Sequence, residues 1–242
     1  MNRKPYRQLL PKRISTLPRL ALHPLVESSG RPDSFSSHRN RFVKPFRSTG
    51  QDDDTPFDGS GLKIKTIKTR RQLNEVEFAS ILRVTEKYLL VKPSQKLAPF
   101  TFSWLLELHR EMLGSIWNWA GKIRTTQKNI GVNPAIVVAE LGVIAIESEN
   151  RHGETGDLVV ATAAEFHHRA VWVHPFEDGN GRWARLLANI WLMQHDQPVT
   201  LWPANDLRST ESPIRSEYIA AMKQADLRNY GPLIDLHKKF SE

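Results

Sequence analysis

Residues 174–185 read HPFEDGNGRWAR, and this stretch decides how the rest of the chain is interpreted. The Gly-Asn-Gly turn at residues 179–181 can bring successive backbone N–H groups together, because glycine reaches positive φ freely and asparagine tolerates it. Residues 182–195 have the pattern of a helix, so the free N–H groups at its N-terminus face the same place. Such a concavity of N–H groups binds anions. The stretch therefore predicts an anion-binding turn at the start of a helix.

The charged side chains of this stretch suit phosphate chemistry. Arg182 and Arg185 lie three residues apart, so they project from one face of the first helical turn. A guanidinium fork matches the oxygens of a phosphate group. Asp178 is a hard oxygen ligand of the kind that Mg²⁺ prefers, and a histidine such as His174 has an ordinary pKa near ~6.5, in the range of a general base. These residues predict a polyphosphate site with a base beside it.

The same residues resemble the motif of the Fic (Fido) family of nucleotide-transferring enzymes, HxFx[D/E]GNGRxxR. Every fixed position of that motif is present, which makes a chance match improbable. Within the family the chain is most similar to the group called mobile mystery protein B, whose members tend to open with a segment like residues 54–58. The matching residues are His174, Phe176, Asp178, Gly179, Asn180, Gly181, Arg182 and Arg185.

The resemblance implies a protein adenylyltransferase that moves AMP from ATP, with Mg²⁺, to a Ser, Thr or Tyr hydroxyl of another protein. In such an enzyme His174 is the catalytic base and Asp178 holds the metal. Asn180 binds the α-phosphate, while Arg182 and Arg185 bind the β- and γ-phosphates. The implied nucleotide-binding set is Gly179, Asn180, Gly181, Arg182 and Arg185.

Alternatives to this function stay open. The protein could be a latent toxin-like Fic module or one that is controlled by a partner protein. It could also be a Fic enzyme that uses another nucleotide donor or that removes AMP. The donor-pocket residues that would separate these functions are not located by the sequence.

A second stretch, residues 116–133 (IWNWAGKIRTTQKNIGVN), resembles the segment that leads into the flap of Fic proteins. Residues 124–137 are accordingly predicted to form a β-hairpin whose turn lies at residues 131–134. An exposed hairpin edge accepts an added strand, so the target protein is expected to dock there. The predicted docking residues are Lys128, Asn129, Ile130 and Gly131.

The family resemblance also bears on regulation. Many Fic proteins carry an inhibitory helix with the pattern [S/T]xxxE[G/N], whose glutamate pairs with the second motif arginine. Residues 147–150 supply only the Glu-Asn ending of that pattern. Glu75 and Glu77 lie on a helix that precedes the Fic motif as inhibitory helices do, and the hypothesis is that one of them reaches Arg185. The alternative is an ordinary solvated helix face, with control left to a separate regulatory protein.

The positive charge of the chain is concentrated at its start. The net charge of the 242 residues is +8, but residues 1–50 hold eleven Lys and Arg against two acidic residues, a net +9. Residues 51–242 then contain 23 basic and 24 acidic residues. Nucleic acid is therefore an expected partner only through non-specific, salt-sensitive contact with the tail.

Residues 1–55 carry scattered Pro, Ser, Arg and Gly without an apolar period, and this composition predicts a disordered basic tail. An organellar transit peptide and a misplaced translation start are the other two interpretations. An N-terminal arm and helix are predicted over 56–97, and the Fic domain over 98–242. The chain has no cysteine and no apolar run long enough to span a membrane. Cytoplasmic residence without membrane contact is the expectation.

The apolar periodicity predicts an all-α domain that is interrupted only by the flap hairpin. A short strand or extended arm is expected at residues 62–67. Helices are expected near 69–90, 101–112, 138–150, 158–173, 182–195, 212–227 and 232–240.

Overall fold

The computed structural model describes residues 57–241, so the predicted tail at residues 1–55 lies outside the described part. Within residues 57–241 the regular structure is helical, and the all-α prediction is confirmed. The eight helices of this part are α1 (Arg70–Leu89), α2 (Phe102–Leu113), α3 (Val137–Asn150), α4 (Asp157–Val173), α5 (Asn180–Gln194), α6 (Ala204–Arg208), α7 (Pro213–Asp226) and α8 (Gly231–Lys239).

The first two helices begin where their capping residues place them. The Thr69 hydroxyl accepts a hydrogen bond from the Gln72 N–H at 3.2 Å, and the Gln72 side chain accepts one from the Thr69 N–H at 3.2 Å. This capping box satisfies N–H groups that a helix leaves unpaired at its start. The Thr101 hydroxyl likewise accepts a hydrogen bond from the Trp104 N–H at the start of α2. Helix α2 ends at Leu113, one residue beyond the predicted end, and Gly114 is its C-cap.

Helix α5 is the central element of the fold. It is apolar on most of its surface, and Trp183 and Trp191 are fully buried. Helices α1, α2 and α4 pack against it, while α7 and α8 pack together and against α4. The Trp183 indole N–H donates to the Leu105 carbonyl of α2 at 3.1 Å, which ties the two helices together. The arginines of the motif are therefore carried by the most firmly buried helix.

Three local predictions are corrected by the structure. Residues 62–67 do not form a strand; Leu62 makes a single antiparallel bridge to Trp117. Helix α5 begins at Asn180, two residues early, because Gly179 precedes it in a left-handed conformation. Helix α6 was not predicted, because five residues are too few for a detectable apolar period.

The predicted flap hairpin at residues 124–137 is also wrong, since this segment is a loop that ends in a 3-10 turn at Pro134–Ile136. Its carbonyls accept hydrogen bonds from the side chains of Arg124 and Gln127 and not from a partner strand. The buried Arg124 guanidinium donates to the carbonyls of Thr126 at 2.8 Å, Val132 at 2.5 Å and His174 at 2.6 Å. Because Pro134 has no N–H to donate, a strand ladder would in any case be interrupted there.

Replacing Arg124 by Met should lower the free energy of unfolding by about 2 to 4 kcal/mol, because several buried carbonyls would lose their donor. Urea unfolding followed by circular dichroism measures this. Lys122→Met is the matched control, since Lys122 is exposed two residues away. Equal stabilities of the two variants would contradict the role assigned to Arg124.

Candidate active site

The motif begins where α4 ends in an unusual backbone conformation. His174 adopts a left-handed conformation with φ 50°, a state that costs a residue with a Cβ about 1–2 kcal/mol. Its N–H donates to the Ala170 carbonyl at 3.2 Å, and its carbonyl accepts from Arg124 at 2.6 Å. The end of α4 and the guanidinium together hold the chain in this strained turn.

Asn180 closes the loop between the two helices. Its side-chain oxygen accepts from the Phe176 N–H at 2.9 Å, and its amide N–H donates to the Phe176 carbonyl at 2.9 Å. The side chain is only 2% exposed. The loop uses the amide oxygen and one amide hydrogen. The role expected from the sequence, a hydrogen bond to the α-phosphate, would use the second amide hydrogen.

The anion-binding turn is made by the backbone. The first helical hydrogen bond of α5 runs from the Trp183 N–H to the Gly179 carbonyl at 3.0 Å. The N–H groups of Asn180, Gly181 and Arg182 have no hydrogen-bond acceptor within residues 57–241. Three unpaired N–H groups at a helix N-terminus form a site for a phosphate group.

His109 of α2 holds the motif loop from beneath, and sequence reasoning missed it. Its ring stacks on Phe176 with centroids 3.7 Å apart, and Nε2 lies 2.9 Å from the Asp178 carbonyl. Nδ1 accepts the Gly121 N–H at 2.9 Å, so Nε2 carries the proton and donates to that carbonyl. Burial lowers the pKa of His109 to about 4, which keeps the ring neutral. A histidine on the apolar face of a helix was the available signal.

Gly179 fits this loop for two reasons. Its φ is +80°, and a Cβ at this position would lie 2.7 Å from Cδ1 of Leu113 and 3.1 Å from Nε2 of His109. A side chain would therefore be strained by its own backbone and would push the loop off α2.

The two motif arginines have different partners. Arg182 donates to the Glu77 carboxylate at 2.5 Å, and the other Glu77 oxygen accepts from the Trp117 indole at 2.7 Å. Glu77 is 6% exposed, so its predicted position outside the core is wrong. The predicted pairing of Glu75 or Glu77 with Arg185 is also wrong, since Glu77 reaches Arg182 and Glu75 is exposed. Arg185 instead contacts the Tyr218 hydroxyl.

His174 stands beside these groups, at the edge of the flap loop. Its side chain is half-buried; burial lowers its pKa, and the Val171 carbonyl opposes that effect. A Cβ on Gly131 would lie 2.5 Å from Cβ of His174, so the flap loop packs directly against the imidazole residue. Lys128 pairs with Glu177, while Asn129 and Ile130 are exposed. The structure thus brings the predicted docking residues next to the motif.

The motif residues and Glu77 line one cavity of about 930 Å³. This volume lies in the upper range of small-molecule sites and can hold a nucleotide. Its walls include His174, Asp178, Arg182, Arg185 and Glu77 from the site, and Trp202 at the far side. Asp178 is exposed at the cavity, with one oxygen accepting the Gly179 N–H. The arrangement defines a helical protein with a polyphosphate site and a base at its edge.

Comparisons with known proteins agree with this class. Residues 99–192 match the model of the Fic/DOC family. The chain is 34% identical over 188 residues to protein adenylyltransferase fic-1 of Caenorhabditis elegans, an alignment that covers 76% of this chain and 35% of that protein. It is 32% identical over 152 residues to protein adenylyltransferase Fic of Drosophila grimshawi, covering 61% of this chain and 30% of that protein.

Solved structures share the fold. Fic-1 (residues 134–508) from C. elegans superposes with a TM-score of 0.54 at 32% identity, covering 75% of this chain and 52% of that one. The BepC effector of Bartonella tribocorum with bound AMPPNP gives a TM-score of 0.59 at 19% identity, covering 77% and 95%. The chain is a Fic (Fido) domain protein.

These comparisons have a defined reach. The chain spans about a third of the length of the curated relatives it matches. The narrower resemblance to the mobile mystery protein B group is not confirmed. Among the helices at residues 57–241, none is long and apolar enough to cross a membrane.

Replacing Gly179 by Ala should lower the free energy of unfolding by at least ~2 kcal/mol, since strain of about 1–2 kcal/mol adds to the contacts with His109 and Leu113. Thermal and urea unfolding measure the change. Gly153→Ala is the control, because a Cβ there would meet nothing within 4 Å. If both variants unfold like the wild type, the loop is not fixed by Gly179.

Proposed function

We propose that this protein is a protein adenylyltransferase that transfers AMP from ATP to a Ser, Thr or Tyr hydroxyl of another protein. The observation that carries the proposal is the convergence of three unpaired N–H groups, two arginines and one histidine on a single cavity. Two facts support ATP as the donor. The relatives are named protein adenylyltransferases, and BepC was solved with AMPPNP bound.

The reaction needs one deprotonation and one displacement. The target hydroxyl oxygen attacks the α-phosphorus, a new P–O bond forms, and the bond to the β-phosphate oxygen breaks, so pyrophosphate leaves. His174 takes the hydroxyl proton; its lowered pKa keeps it neutral and ready to do so near pH 7. Arg182, Arg185 and the N–H groups of the turn stabilise charge on the phosphate oxygens.

Mg²⁺ is the metal that the proposal includes, and Asp178 is the residue that would hold it. No group of three or more His, Asp or Glu within residues 57–241 could bind a metal without other ligands. One exposed carboxylate suits Mg²⁺, which keeps several waters and takes the rest of its ligands from phosphate oxygens. The ion would supply charge neutralisation on the leaving pyrophosphate.

The target protein is proposed to dock on residues 128–131, which lie against His174. The loop is held by the Arg124 side chain and not by a strand partner. Exposed backbone of this loop could pair with an extended target segment. The proposal includes cytoplasmic residence, where ATP and protein targets are both abundant.

A latent enzyme is the second candidate, and one observation favours it. The Glu77 carboxylate occupies Arg182, a group that the reaction needs for phosphate binding. Donor nucleotide must displace this carboxylate or bind beside it. Control by a separate regulatory protein that moves α1 would be compatible with this arrangement.

The reaction class is tested by incubating the protein with a cell lysate, Mg²⁺ and ATP, UTP, GTP or CTP labelled at the α-phosphate. Transfer of label to protein from ATP alone is expected. His174→Ala should reduce transfer by about 10²- to 10⁴-fold, the usual contribution of a general base, while ATP binding is retained. Label from another nucleotide would change the donor, and a His174→Ala variant that keeps a tenth of the rate would remove His174 as the base.

Glu77→Gln should raise self-modification with ATP by an order of magnitude or more, because a hydrogen bond to a charged partner is worth about 1.5–3 kcal/mol. The substitution keeps an oxygen for the Trp117 indole and removes the charge that occupies Arg182. Glu75→Gln is the matched control on the exposed face of the same helix. Equal rates for the two variants, with the fold intact by circular dichroism, would exclude latency through α1.

A further inference from the structure

Arg185 is held by a neutral group. Within residues 57–241 no carboxylate forms an ion pair with it, whereas Arg182 pairs with Glu77. The Arg185 guanidinium interacts with the Tyr218 hydroxyl. Burial raises the pKa of Tyr218, so this partner is an uncharged phenol. The guanidinium is therefore oriented without being neutralised.

Tyr218 lies on α7, outside the residues 99–192 that match the family model. Its ring packs against Trp202, with centroids 5.8 Å apart, and against His167, with centroids 5.7 Å apart. Trp202 also lines the cavity that contains Arg185. Helix α7 thus reaches Arg185 through the Tyr218 hydroxyl.

A chain of buried hydrogen bonds continues from Tyr218 into the core. The Tyr218 hydroxyl lies 3.2 Å from Nε2 of His167, and Nδ1 of His167 lies 3.1 Å from Nε2 of His237. Nδ1 of His237 lies 2.7 Å from the Thr200 hydroxyl. The two imidazoles and the threonine are at most 2% exposed. This relay joins α4, α7 and α8 to the segment after α5 that contains Thr200.

The direction of the relay follows from its first donor. Arginine can only donate, so the Tyr218 oxygen accepts from Arg185 and its proton is left for Nε2 of His167. His167 then donates from Nδ1 to Nε2 of His237, and His237 donates from Nδ1 to Thr200. A hydroxyl that accepts from a cation is a stronger donor itself, which favours this direction. Both rings stay neutral, and burial lowers the pKa of each.

We propose that Tyr218 is a positioning residue that aims Arg185 at the terminal phosphates of the nucleotide, and that the His167, His237 and Thr200 relay fixes the Tyr218 hydroxyl in place. The proposal rests on the proposed function for the identity of the ligand. Because the hydroxyl carries no charge, the full positive charge of Arg185 is available to phosphate. The consequence is selection of ATP over AMP, which lacks those terminal phosphates.

The binding test compares ATP and AMP affinity of the purified full chain by calorimetry. Tyr218→Phe should weaken ATP binding about tenfold, the scale of one hydrogen bond to a charged group, and should leave AMP affinity unchanged. Tyr230→Phe is the control; Tyr230 is also partly exposed and its ring contacts His168. An equal loss for ATP and AMP would overturn the proposal, since it would mean general damage to the pocket.

A double-mutant cycle shows whether Tyr218 acts through Arg185. In an Arg185→Ala background, Tyr218→Phe should have no further effect on ATP affinity, because the group it aims is gone. A further tenfold loss in that background would overturn the proposal.

The relay is tested on the wild-type protein, where no variant has to fold. Two-bond ¹H–¹⁵N NMR distinguishes histidine tautomers, and we expect neutral rings with the proton on Nδ1 at both His167 and His237. An imidazolium, or a proton on Nε2 of His167, would overturn the relay.

ATP binding by the wild type separates a failure of the proposed function from a failure of the Tyr218 role. If the wild-type chain does not bind ATP, the proposed function fails and the role of Tyr218 fails with it. If the wild type binds ATP and Tyr218→Phe binds it equally well, only the positioning role is overturned.

Discussion

The reversal of the chain between α4 and α5 is the constraint on which the rest of the structure depends. Two buried helices must be joined by six residues whose backbone leaves three N–H groups free for an anion. Side chains from three places supply the support: Asn180 from the helix itself, His109 from α2 and Arg124 from the flap loop. Each one satisfies backbone groups of the loop, so the N–H groups that face the cavity need no internal partner. The loop around the anion site is held in place by these hydrogen bonds, while the three N–H groups of the site itself are left unpaired.

The residues with fixed spacing were predictable, and those that act through tertiary contact were not. The motif placed His174, the turn and both arginines together, and the sequence predicted the starts of α1 and α2 to within one residue. The hairpin was wrong because side chains, chiefly the buried Arg124 guanidinium, bond the loop carbonyls in place of a partner strand. Nothing local in the sequence states which carbonyls Arg124 will reach.

Side-chain partners were the other limit of sequence reasoning. A helical period places Glu77 among the residues of its face, but only the packing of α1 against α5 decides that this face is buried. Tyr218 lies 33 residues beyond Arg185, and no pattern connects them. Each motif arginine is served by an element outside the motif: α1 supplies a carboxylate to the first, and α7 supplies a hydroxyl to the second. The motif defines the phosphate site, and the flanking helices set how much of its charge is available.

The contact between Gly131 and His174 has a geometric consequence for target recognition. With no side chain at residue 131, the loop backbone packs against the Cβ of His174, the proposed base. The distance between the loop backbone and His174 is therefore fixed by this contact. In the proposed function, a target segment that pairs with residues 128–130 would lie at a fixed distance from the imidazole, whatever its own sequence. Lengthening the loop by one residue would change that distance and leave His174 and the two motif arginines in place.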